Sequence, residues 1–108
     1  MGCDYKFTAS AEQDLDDILY YISQKLDNSI AARNFMTKLE ETITEVTAFP
    51  KCGTVVDNDF LPRKDIRRLP IQNYSFYYKF IEDENYILIL RIIYAKRDPE
   101  QIMKEINQ

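Results

Sequence analysis

Basic side chains recur through the second half of this chain, inside segments that read as strands. Arg67 and Arg68 lie in IRRLPI, Lys79 in YSFYYKFI and Arg91 in YILILRIIY, and Lys96 and Arg97 follow the last run directly. Tyr77 shares its run with Lys79. Guanidinium and ammonium groups in such places bind phosphate or an acidic protein surface. Metal-independent RNA cleavage would ask more of them. A base must take the 2′-hydroxyl proton, cations must hold the charged phosphorane, and an acid must protonate the leaving oxygen. The chain has no histidine, so Tyr, Lys or Glu would have to move those protons. If the chain is a nuclease, the catalytic candidates are Arg67, Lys79 and Arg97.

Charge is unevenly spread. The net charge is −4. Residues 1–50 hold four basic and nine acidic side chains, and residues 51–108 hold ten and nine. Between Leu61 and Ile81, Arg63, Lys64, Arg67, Arg68 and Lys79 are opposed only by Asp65. A local basic surface on an acidic protein can draw in phosphate or an acidic partner. Two cysteines, Cys3 and Cys52, with no CxxC and no histidine, leave too few ligands for a structural zinc. No metal and no cofactor is expected. The N-terminus has no apolar leader, no run is long enough to span a membrane, and unpaired thiols suit a reducing cytoplasm.

Those cations need a frame, and 108 residues make one domain, 1–108. Asp4–Thr8 alternates as a short strand. Ser10 with Gln13 reads as a helix cap, and Glu12, Asp14, Asp16 and Asp17 suit a helix N-terminus and solvent. Ala11, Leu15, Ile18, Leu19, Ile22 and Leu26 form one helical stripe, with Tyr20 packed and Tyr21 exposed. Asp27-Asn28-Ser29 breaks that helix and caps the next, which carries Ala31, Ala32, Phe35, Met36, Leu39, Ile43 and Val46. So short a link predicts an antiparallel helical hairpin. Pro50 and Gly53 end the second helix. Thr54-Val55-Val56 reads as a short extended piece in a loop. Three strands follow, joined by Gln72-Asn73 and by Glu82-Asp83-Glu84-Asn85. Asp98-Pro99 starts a short last helix, Pro99–Ile106. The last strand is apolar on both faces and therefore internal, and Arg91 within it demands a partner or an open face.

The fold class is thus α+β, order β-α-α-β-β-β-α, a small twisted antiparallel sheet packed against an N-terminal αα-hairpin. That order resembles the RelE/ParE superfamily, the toxin halves of prokaryotic type II toxin–antitoxin modules, over about Tyr5 to Met103. The resemblance rests on Ala11-x-x-Asp14-Leu15-x-x-Ile18-x-x-Tyr21-Ile22, Ala32-x-x-Phe35 and Phe49-Pro50-x-x-Gly53. It continues through Arg67-x-Leu69-Pro70-Ile71, Asn73-Tyr74, Tyr77-Tyr78 and the closing Lys96-Arg97-Asp98-Pro99.

The resemblance implies a cognate antitoxin partner whose segment lies along the toxin. It implies a role in plasmid stabilisation or growth inhibition. RelE-like members cleave mRNA on the ribosome; ParE-like members poison DNA gyrase. Arg97 matches the nuclease pattern, but Ser75 follows Tyr74 where nucleases usually carry Arg, and Met103 stands where an aromatic is common. The ParE-like branch is therefore expected, acting by binding and not as an enzyme. Arg67, Arg68, Tyr77, Lys79, Arg91, Lys96 and Arg97 are the expected binding residues for target or antitoxin. A RelE-like mRNA endonuclease, or a degenerate member that keeps only antitoxin binding, are the alternatives. A homodimer or a toxin–antitoxin hetero-oligomer would fit either branch.

Overall fold

Local capping sets the helices. In this computed structural model, which describes residues 2–56 and 65–96, Thr8 caps α1 (Ala9–Tyr20), its side chain accepting from Ala11 N–H at 3.1 Å. The expected cap at Ser10 is thereby corrected: Ser10 already lies inside the helix. α1 runs on into a π-helical turn (Tyr21–Lys25), and Asp27 takes a positive φ of 48° to reverse the chain. Asn28 caps α2 (Ser29–Ala48) through Ala31 N–H at 2.9 Å, as the sequence indicated.

Among the described residues five strands form one sheet: β1 (Asp4–Phe7), β2 (Thr54–Val55), β3 (Ile66–Ile71), β4 (Tyr74–Ile81) and β5 (Tyr86–Tyr94), in the order β1-β5-β4-β3-β2. β2 to β5 are antiparallel to their neighbours, as expected. β1 is the exception and lies parallel to β5, so the sheet is mixed. The two-residue link Gln72-Asn73 turns with Gln72 at φ 54°; the second link ends on Asn85 at φ 55°. Pro70 lies on β3 beyond the reach of the two-residue β2, on the side where a proline has no donor to lose. The last expected helix, Pro99–Ile106, lies outside the described residues.

The hairpin covers one face of the sheet. Ala11, Ile18 and Ile22 of α1 and Phe35, Leu39, Ile43 and Val46 of α2 meet Ile71, Phe76, Tyr78, Ile87, Ile89 and Ile92 in one core. Each Ile, Leu, Val or Phe among them, buried in full, contributes roughly 1.5–3 kcal/mol. Ile66, Tyr77 and Ile93 form a smaller cluster on the other face, with Val56 and Leu90 against it. Tyr20 is 58% exposed, which corrects its expected packing; its position falls off the stripe led by Ile18 and Ile22. No helix of the described residues is long and apolar enough to cross a membrane.

Candidate functional site

Strand register decides which basic residues share a surface. Arg67 pairs across β3–β4 with Tyr78 and Arg68 with Tyr77, so the two arginines point to opposite faces. Lys79 pairs with Ile66 and shares the face of Arg68 and Tyr77. Of the nuclease candidates, Arg67 and Lys79 therefore do not converge. Arg68 is exposed, Lys79 is half-buried, and Tyr77 is 3% exposed, its ring packed between Ile66 and Ile93. Lys96 is exposed just beyond β5. Arg97, with Arg63 and Lys64, lies outside the described residues.

Arg67 is spent on a loop. Its guanidinium donates to the carbonyls of Gly53 at 2.8 Å and Lys51 at 3.1 Å. The buried Tyr78 hydroxyl works on the same loop, donating to the Pro50 carbonyl at 2.8 Å and accepting from Gly53 N–H at 2.9 Å. Gly53 is required there, since a Cβ would come within 2.7 Å of the Tyr78 hydroxyl and 3.1 Å of the Arg68 carbonyl. Burial pushes the Tyr78 phenol up to about 12, against a lowering by the Gly53 N–H bond. The Phe49-Pro50-x-x-Gly53 motif is thus a strap fastened to β3 and β4. Its outer side, with Ala48 and Phe80, lines an open apolar groove of about 560 Å³.

Arg91 is held from the opposite side of the molecule. Its Nε and Nη2 donate to Asp14 Oδ2 and Oδ1 at 2.7 and 2.9 Å. Side-chain exposures of 16% for Arg91 and 13% for Asp14 leave this pair little water. Asp14 was expected among solvated helix carboxylates; it is instead the partner that a charge in an internal strand requires. The sequence did carry a signal, because Asp14 is one helical turn from Ala11 and Ile18 on the core stripe. The pair stands beside a bulge in β5, where Tyr77 pairs with Arg91 but Tyr78 pairs with Ile89, leaving Leu90 as the extra residue. Thr8 Oγ1 donates to the Leu90 carbonyl at 2.9 Å, and Asp14 accepts from Ile92 N–H at 3.0 Å. The start of α1 therefore satisfies backbone groups of β5 past the end of β1.

At the end of β5 an aromatic rim gathers. Tyr74 stacks edge-on to Phe35 at 5.4 Å and to Tyr94 at 6.0 Å, with Tyr94 47% exposed beside Lys96. Burial, then the Tyr21 and Tyr94 phenols, raise the Tyr74 pKa. Among the described residues no group of three or more His, Cys, Asp or Glu is placed to hold a metal ion.

The geometry can be set beside known proteins. The family profile described as "ParE toxin of type II toxin-antitoxin system, parDE" matches residues 5–99. A comparison with curated proteins finds no match. Among solved structures, an E. coli RelE double mutant in the free state is similar with a TM-score of 0.65 at 14% identity, covering 99% of this chain and 96% of that one. The Pseudomonas aeruginosa chromosomal ParDE system gives 0.62 at 20% identity, covering 87% and 97%. The Mycobacterium tuberculosis RelBE2 toxin–antitoxin complex gives 0.62 at 15%, covering 87% and 99%. At such identities the structural likeness speaks for the fold, and the profile match over residues 5–99 speaks for descent. The chain belongs to the ParE toxin family of type II toxin–antitoxin systems.

Proposed function

We propose that this chain is a ParE-like toxin that arrests growth by binding its target, DNA gyrase, and is neutralised by a cognate antitoxin in the cytoplasm. The observation that carries the reading is the engagement of the strand arginines. Arg67 fastens the Pro50–Gly53 strap and Arg91 pairs with Asp14, so both serve the fold. Arg67 and Lys79 face opposite sides of the sheet. A phosphorane needs several cations converging on one point. A protein surface needs charge spread over a patch, which Arg68 and Lys79 supply on the sheet face turned away from the hairpin, with Lys96 exposed just beyond β5. Arg97 is proposed as a further binding residue on the family pattern.

The antitoxin assignment is supported by the family and by two of its structural relatives, RelBE2 and ParDE, which are toxin–antitoxin systems.

Induced expression without antitoxin tests toxicity, and growth arrest is expected. Purified chain is then expected to inhibit gyrase supercoiling and to leave mRNA on translating ribosomes uncut. Codon-positioned cleavage that disappears in Arg97→Ala would replace this reading with the RelE-like one. Normal growth with abundant soluble protein would leave a member that only binds antitoxin.

A further inference from the structure

β1 is an edge strand with half of its hydrogen-bonding groups turned outward. Thr8 N–H donates to the Ile89 carbonyl on β5, and Cys3 N–H donates away from β5 to the Thr47 carbonyl of α2. Backbone direction alternates along a strand, so Asp4 and Lys6 bond toward β5 while Tyr5 and Phe7 turn their N–H and C=O outward. Among the described residues, those outward groups have no backbone partner. Beside this edge runs a groove of about 320 Å³ lined by Cys3, Tyr5, Ile43, Thr47 and two carboxylates, Asp4 and Glu40. Tyr5 is 50% exposed at its rim.

We infer that the β1 edge is a docking site for an extended segment of a partner protein that adds a strand along Tyr5–Phe7 and places a Lys or Arg side chain between Asp4 and Glu40. Unpaired strand edges recruit extended chain through main-chain bonds, and flanking pockets choose the side chains. The charged groups lining this pocket are both acidic, which selects a basic side chain. The inference deepens the proposal that a partner protein holds this toxin, by giving the place and chemistry of one contact.

The probe is a random decapeptide array screened with the full chain, with backbone amide exchange as the site readout. Binders are expected to be rich in β-branched residues and to carry Lys or Arg. They are expected to protect the Tyr5 and Phe7 amides. A D4K/E40K double variant, shown to be folded by its unchanged melting transition, is expected to bind those peptides about tenfold more weakly and to prefer Asp or Glu instead. Absence of binders, binders without basic preference, or unchanged exchange at Tyr5 and Phe7 would overturn the inference. Protection that rises with protein concentration in the absence of peptide would overturn it in favour of self-pairing. Growth arrest is measured separately, so a failure of toxicity leaves this result readable.

Discussion

Arg91 Nε lies 2.7 Å from Asp14 Oδ2, and the same oxygen accepts from Ile92 N–H at 3.0 Å. One carboxylate on α1 thereby neutralises the charge in β5 and closes the backbone beside the bulge. Removing it takes two carboxylate contacts from the guanidinium and the acceptor from the Ile92 N–H in a place with little water. Asp14→Ala is expected to cost about 2–4 kcal/mol, measured by urea unfolding. The D14L/R91M pair is expected to lose less than the sum of the single changes, because neither charge is then left behind.

Tyr78→Phe removes the hydroxyl that bridges the Pro50 carbonyl and Gly53 N–H. The expected loss is about 1–3 kcal/mol. The pH dependence follows from the raised phenol. Folding favours the neutral form, so the stabilisation is intact below pH 10.0 and declines as pH rises toward about 12. Denaturation curves taken across that window should slope downward in the parent chain and more shallowly in Tyr78→Phe.

Gly53→Ala forces a methyl to within 2.7 Å of the Tyr78 hydroxyl and 2.8 Å of its ring. The strap must lift, and Arg67 loses a partner as it does. A destabilisation of about 1–3 kcal/mol is expected, with faster amide exchange at Gly53. Normal melting and unchanged exchange would show that the strap has slack.

Arg67 and Arg68 adjoin in sequence and separate in consequence. Arg67→Ala should lower stability by about 1–3 kcal/mol through the Gly53 and Lys51 carbonyls. Arg68→Ala should change stability by less than about 0.5 kcal/mol. Its effect is expected in growth arrest and gyrase inhibition, alone and with Lys79→Ala. Equal melting of both variants would contradict this division of labour.

Much of the frame was legible. The helical stripes, the Asn28 cap and the three-strand meander each follow from residue periodicity and turn chemistry, and Phe35, Leu39, Phe76 and Ile89 fall in the core accordingly. The family pattern was legible because its motifs mark fold constraints: Gly53 must make room for Tyr78, and Asn73-Tyr74 follows the turn residue Gln72. What escaped were relations between distant segments. Helical spacing sets Asp14 on the core stripe apart from Asp16 and Asp17, but only the register of β5 makes it the partner of Arg91. Alternation placed Arg67 with Leu69 and Ile71 but could not say which face the hairpin covers. The parallel docking of β1 was equally silent, since strand direction is set by what the long crossover allows.

The parallel seat of β1 also has a kinetic meaning. Phe7 pairs with Ile89, and Thr8 reaches the Leu90 carbonyl across 82 positions of chain. During synthesis the opening segment has nowhere to lie until the closing strand has emerged. Non-local pairing of this kind is slow to form. The sheet therefore closes at its β1 edge only after the chain through β5 has been made, so the first strand of the protein is among the last to find its place.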